Sequence, residues 1–273
     1  MTGLYGVIGD PVTHSLSPVI HRGWARDHGL DADYRGLHVP AEALGDAMGT
    51  FERQGVKGLN VTLPHKQAVM EHCETISPLA RRIGAVNTLT RQSGGAWRGD
   101  NTDYHGFLED LSETWPSGLK GRRVRVLGAG GAARAVLLAL HEAGARLDIA
   151  NRTPANAQAL AAGLQLPDMP VLGLEEGLAH LAGVELVVNC LSLGHSGAGL
   201  TLPAGEGRLF YDISYGPASR RVLGPAEAAG WKTADGLGML VAQAALSFEI
   251  WFAIRPDREA ALRRCRAALE AAQ

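Results

Sequence analysis

The sequence predicts an α/β protein of two domains, on three observations. Short apolar runs alternate with helical segments, the alternation starts afresh after Asp103, and a glycine-rich turn joins strand to helix at that second start. The expected bounds are residues 1–103, joined by C-terminal helices over 238–273, for the first domain, and residues 104–237 for the second. With 46% hydrophobic residues in a chain of 273, each domain can bury a core.

The elements follow in order. "LYGVIG" is an apolar run closed by Gly-Asp-Pro, the pattern of a buried strand. Ser17-Pro18 reads as a helix cap followed by proline in the first turn, with Gly29 ending that helix. "DYRGLHV" and "GLNVTL" are the next strands, separated by a helix that Pro40 opens. "AVNTLTR" and "GAWRGDN" flank a Ser-Gly-Gly turn and predict a hairpin. In the second domain "RRVRVLG", "RLDIAN", "VELVVNC" and "RLFYDIS" are strands, and several are nearly all apolar, as a sheet covered on both faces requires. "GAGGAARAVLLALHEAG" is a turn running into a long helix, and Thr153-Pro154 repeats the cap-plus-proline start.

Composition narrows the classes of function. A net charge of −2 without a dense basic run argues against nucleic acid as a partner. Cys73, Cys190 and Cys265 lie far apart in sequence, which fits neither a disulfide framework nor a zinc site and suits a reducing compartment. The start "MTGLYGVIGDPV" lacks the basic head and apolar run of a signal peptide. The apolar tract "LGMLVAQAALSFEIWFAI" carries Gln243, Ser247 and Glu249, so it reads as a buried helix rather than a membrane span. The expectation is a soluble, cytoplasmic protein with no membrane partner.

"VLGAGGAARAV" fits G-x-G-x-x-A through Gly128, Gly130 and Ala133. Gly128 permits the tight turn, Gly130 lets backbone approach a pyrophosphate, and small Ala133 permits close packing of helix on strand. Free N–H groups at the helix start would hold the anion. The second domain therefore reads as a Rossmann-type, doubly wound dinucleotide-binding domain. Where a carboxylate would accept from an NAD ribose, the sequence has Asn151, then Arg152 and Thr153. Without that negative charge, and with a guanidinium beside it, the position favours NADP. Thr153 serves equally as a cap for the helix that Pro154 begins.

A nicotinamide cofactor needs a carbonyl or alcohol substrate and a group that moves its proton. His14, His21 and His28 recur at sevens, the last two on one helix face, and packing or solvation suits them better than a metal. Lys66 in "NVTLPHK" and Asp103 in "GDNTD" are the remaining candidates. A free lysine keeps its proton to about pH 10.4, so it can protonate an alkoxide, and a nearby carboxylate would orient it. Each also has a plain reading, Lys66 as a surface cation and Asp103 as a helix cap.

Taken together, "GDPVTHSLSPVIH", "GLNVTLPHK", "GAVNTL", "GDNTD", "GAGGAAR", "NRT" and "DGLGMLVAQAA" occur in the order that resembles the shikimate dehydrogenases, across nearly the whole chain. The resemblance implies a first, substrate-binding domain and reversible reduction of 3-dehydroshikimate to shikimate by NADPH, a step of aromatic amino acid biosynthesis. It implies that Lys66 and Asp103 are the catalytic pair. Ser15 and Ser17 would hold the substrate carboxylate, and Thr62, Asn87, Asp103 and Gln243 the ring hydroxyls, with Tyr215 of "DISYGP" nearby. Gly128, Ala129, Gly130, Gly131, Ala132, Asn151, Arg152, Thr153, Ile213 and Gly236 would meet NADP. No metal is implied, and a homodimer stays open.

Three positions depart from the family pattern. Tyr104 stands where glycine often follows the aspartate, Asn156 replaces a second cation after "NRT", and His195 replaces a methionine in "NCLSLGHSG". Two other readings stand beside the first: a quinate/shikimate or other cyclic-polyol dehydrogenase using the same Lys–Asp pair, and a catalytically silent NADP-binding regulator.

Overall fold

A computed structural model describes residues 3–192 and 199–272. His195 lies outside the described residues. The chain separates into two compact units, Met1–Gly106 with Leu240–Gln273, and Phe107–Met239. Each is an α/β layer structure, as the alternation of elements requires.

The first unit is built on a six-stranded sheet in the order β2-β1-β3-β5-β6-β4. Its strands are β1 (Gly3–Gly9), β2 (Ala32–His38), β3 (Gly58–Val61), β4 (Thr75–Ile76), β5 (Thr88–Arg91) and β6 (Trp97–Asp100). β1 runs parallel to both β2 and β3, while β5 is antiparallel to β3 and to β6. The register places Asn60 opposite Thr88 and Thr88 opposite Asp100. That row of polar residues leads directly into Asn101, Thr102 and Asp103, so the sheet delivers them to one end.

Helix α1 (Ser17–Asp27) has Leu16, not Ser17, at its cap position, because the helical turn already includes Ser17 and Pro18. A 3-10 turn at Ala41–Ala43 follows Pro40 and runs into α2 (Leu44–Arg53). α3 (Pro78–Ile83) starts at Ser77, whose hydroxyl accepts from the Ala80 N–H, and ends at Gly84 with φ +70°. Ile8, Met48, Phe51, Leu59, Val69, Leu89 and Trp97 form the core between these helices and the sheet. Full burial of one such side chain contributes roughly 1.5–3 kcal/mol.

The second unit holds an all-parallel sheet in the order β12-β11-β10-β7-β8-β9. Its strands are β7 (Arg123–Leu127), β8 (Arg146–Asn151), β9 (Val171–Gly173), β10 (Leu186–Asn189), β11 (Leu209–Asp212) and β12 (Lys232–Asp235). The helices are α4 (Asp103–Thr114), which begins in the first unit, α5 (Gly131–Glu142), α6 (Pro154–Gly163), α7 (Leu174–Ala179) and α8 (Pro217–Ala228). The strand order reverses between β7 and β10, the switch point of a doubly wound sheet. Two helices close the chain, α9 (Leu237–Phe252) and α10 (Arg258–Ala271), with Asp257 capping α10 through the Ala260 N–H. Among the described residues no helix is long and apolar enough to cross a membrane.

Candidate active site

In the first unit, four of the residues singled out from sequence converge. Lys66 Nζ donates to Asp103 Oδ2 at 2.6 Å, and the two side chains are 14% and 5% exposed. So little exposure removes the surface-cation reading of Lys66. Asp103 opens α4, and its carboxylate takes bonds from side chains rather than capping the helix with its oxygens. The Asn87 amide donates to Asp103 Oδ1 at 2.9 Å and to Gln243 Oε1 at 3.2 Å. Asn87 Oδ1 in turn accepts from the Thr102 N–H at 2.8 Å, which fixes which way the amide faces. The Asp103 N–H donates to Asn101 Oδ1, and Asn101 Nδ2 to the Ala85 carbonyl. Apart from Lys66, the side chains that hold Asp103 stand at the start of β5 and the end of β6. Gln243 is buried, and its Nε2 donates to the Leu240 carbonyl at 2.8 Å.

Ser15 and Ser17 meet at the start of α1, where the Ser15 hydroxyl donates to the Ser17 hydroxyl at 3.2 Å and accepts from the Ser17 N–H at 3.3 Å. Thr62 follows β3 in the "NVTLPHK" segment, and its methyl packs where a Cβ on Gly9 would fall, 2.4 Å away. That contact makes glycine at position 9 a requirement of the turn. Tyr215 belongs to the second unit, half-buried after β11.

The second unit gathers the positions expected to meet a dinucleotide at the carboxyl ends of its strands. Gly128 follows β7 with φ +100°, and a Cβ there would stand 3.1 Å from the Cys190 backbone after β10. The glycine thus lies at the switch point, where only a bare backbone fits. Gly130 caps α5 without a side-chain capping bond, and a Cβ at Gly130 would meet nothing within 4 Å among the described residues. Ala129, Gly131 and Ala132 complete this turn, half-buried, and Ala133 is fully buried against the sheet. An uncapped helix start with that space beside it suits a pyrophosphate. Asn151 ends β8 with its amide donating to the Thr153 carbonyl at 2.8 Å. Arg152 is exposed beside it, Asn156 is exposed, and Thr153 takes the cap position of α6 without a side-chain capping bond. A Cβ on Gly236 would strike the Ile213 carbonyl oxygen at 2.1 Å, so these two positions abut. Asp212, just before Ile213, is fully buried, and burial pushes its carboxyl up to about 6 against the opposing pull of the Ser214 N–H and Asn189.

Known proteins match this chain in sequence over nearly its whole length. A family described as the shikimate dehydrogenase substrate binding domain matches residues 7–89, shikimate / quinate 5-dehydrogenase matches 110–196, and the shikimate 5'-dehydrogenase C-terminal domain matches 236–266. A shikimate dehydrogenase (NADP(+)) of Hyphomonas neptunium is 52% identical over 271 residues, 99% of each chain. The chain belongs to the shikimate dehydrogenase family. Family members of known structure share the architecture. The enzyme from Aquifex aeolicus has a TM-score of 0.86 at 36% identity, covering 97% of this chain and 98% of its own. The one from Thermus thermophilus, in complex with NADP(H) and shikimate, has a TM-score of 0.82 at 38% identity, covering 97% and 99%.

Sequence reasoning passed over several members of the polar cluster. Asn60, Thr88 and Ser247 are buried within it, and Tyr34 donates to Asn60 Oδ1 at 2.7 Å. The signal for Ser247 was its spacing: it follows Gln243 by four residues in an apolar helix, which places both on one face. Of the three recurring histidines, His21 packs its ring on Tyr34, with centroids 4.3 Å apart and planes 4° from parallel. Burial drives the His21 imidazole down to about 3, against a weaker upward pull from Asn60, so it is neutral.

Proposed function

We propose that this chain catalyses the reversible reduction of 3-dehydroshikimate to shikimate by NADPH, with Lys66 and Asp103 as its proton-transfer pair. The observation that carries the reading is the 2.6 Å contact between Lys66 Nζ and Asp103 Oδ2 at a nearly buried position. A bound nicotinamide supplies the hydride that reaches the carbonyl carbon. Lys66 holds the proton at Nζ and gives it to the carbonyl oxygen as negative charge develops there. Asp103 keeps the ammonium aimed and accepts from the substrate hydroxyl. In the reverse direction Lys66 takes the proton from the alcohol.

Ser15 and Ser17 offer hydroxyl donors to the substrate carboxylate, and Thr62, Asn87 and Gln243 complete the hydroxyl-binding set. Gly128 to Ala132, with Ile213 and Gly236, would hold NADP, and Arg152 would pair with its 2′-phosphate. The free thiols of Cys73, Cys190 and Cys265 support a cytoplasmic setting.

Initial rates with shikimate and with quinate, each with NADP+ and with NAD+, test the proposal. Shikimate with NADP+ should give the highest kcat/KM. Faster turnover of quinate would favour the cyclic-polyol reading, and cofactor binding without turnover would favour a silent regulator.

A further inference from the structure

Ser247 stands where three elements meet. Its hydroxyl accepts from Asn60 Nδ2 of β3 at 2.9 Å, lies 2.8 Å from Thr88 Oγ1 of β5 and 3.2 Å from Thr102 Oγ1, and donates to the Gln243 carbonyl at 3.1 Å. The side chain is 0% exposed, so no solvent can substitute for a missing partner. A serine hydroxyl has one proton and two acceptor sites. With its two acceptor sites filled by Asn60 and Thr102, the hydroxyl turns its proton toward Thr88 and shares it with the Gln243 carbonyl.

That arrangement decides where the Thr88 proton goes. Thr88 Oγ1 donates to Asn87 Oδ1 at 2.9 Å, the same oxygen that accepts from the Thr102 N–H. These two bonds hold Asn87 Oδ1 in place, and the amide keeps its Nδ2 on Asp103 Oδ1. Without the Ser247 hydroxyl, Thr88 Oγ1 loses its partner at 2.8 Å and is held less firmly on Asn87, and Asn60 Nδ2 keeps only acceptors at 3.4 Å. We propose that Ser247 is a positioning residue for the proton-transfer pair, acting through Thr88 and Asn87 on Asp103. This rests on the reading of Lys66 and Asp103 given above.

The test is steady-state kinetics with shikimate and NADP+ on the wild type, Ser247→Ala, Thr88→Val and the double variant, with melting temperatures alongside. Ser247→Ala should lower kcat about three- to tenfold, the worth of one buried hydrogen bond, with the KM for shikimate within about twofold. The double variant should be no slower than the slower single variant, because Thr88→Val removes the link through which Ser247 acts. An unchanged kcat in Ser247→Ala, or two losses that multiply, would overturn the proposal. Should Ser247→Ala not fold, Ser247→Thr and Ser247→Val ask the same question at nearly equal volume. Only the threonine keeps the hydroxyl, so it should be faster by the same factor, and equal rates would overturn the proposal. A wild type that does not oxidise shikimate sinks the proposed function itself, whereas an active wild type with an indifferent Ser247→Ala sinks only this step.

Discussion

In the first unit the buried polar residues Asn60, Asn87, Thr88, Thr102, Asp103 and Ser247 bond largely to one another's side chains. In the second unit Arg125 and Asp148 pair with each other, and Arg125 spends its remaining donors on the carbonyls of Gly177 and His180. Both arrangements satisfy buried groups, as they must. They differ in what is left over. The Arg125 pair closes on backbone and ties β7, β8 and α7 together, whereas the first network ends at Lys66, a cation still 14% exposed. A network that ends on a reachable charge can act on a substrate; one that closes on backbone can only hold a fold. The second unit instead presents backbone, through Gly128 and the uncapped start of α5.

This contrast is open to direct attack. The largest effect should come from Lys66→Ala, which should cut kcat by about 10²–10⁴-fold, the worth of a general acid–base group. The KM for shikimate should change far less, and the opposite split would make Lys66 a binding residue. Next comes Arg125→Ala, which strands Asp148 as a buried charge and should cost about 3–5 kcal/mol of stability, read in denaturant, with kcat of the folded fraction unchanged. A loss of kcat without a loss of stability would erase the distinction between the two networks. Arg152→Ala should raise the KM for NADPH about tenfold and leave that for NADH nearly unchanged, since one charge-assisted bond at an exposed site is lost. Equal use of NADH and NADPH by the wild type would remove the phosphate role of Arg152.

The smallest effect is a pair of opposite pH slopes. The folded His21 stays neutral to about 3, while the unfolded chain takes up its proton near the usual 6.5. Stability from this group is therefore present above about pH 6.5 and lost as pH falls toward 3. The Asp212 carboxyl, raised to about 6, behaves the other way: its contribution is present below about pH 3.8 and lost as pH rises through 6. Relative to the wild type, His21→Phe should gain stability on acidification from pH 7 to 4. Asp212→Asn should gain as pH rises over the same range. Melting curves at several pH values check both, and parallel curves would show that neither group titrates on unfolding.

Much of the fold was legible because it is written locally. The hairpin of β5 and β6 follows from two alternating runs and a Ser-Gly-Gly turn, and the parallel strands from runs as apolar as "LVVN" of β10. The start of α1 was misjudged by one residue, since serine before proline suits both the cap and the first turn. β4 is two residues long and pairs with β6 from the far side of a loop, which no local pattern encodes. In the site, Lys66, Asp103, Asn87 and Gln243 stood out because each is a polar group inside a recognisable motif. Tyr34, Thr88 and Ser247 did not, because their role exists only once β2, β5 and α9 bring them to Asn60.

Gly106 carries no side chain, yet it governs how closely the two helices of the site approach. A Cβ there would lie 2.6 Å from the Gln243 Cβ and 2.7 Å from its backbone nitrogen, so α4 and α9 touch main chain to main chain. Even an alanine would have to wedge them apart by several tenths of an ångström, and the 3.2 Å bond from Asn87 to Gln243 would stretch with them. Saturation mutagenesis of the chain should therefore find position 106 as intolerant as Lys66, although no side chain stands there to bind or react. Its contribution is an absence of volume, and a catalogue of reactive groups would never include it.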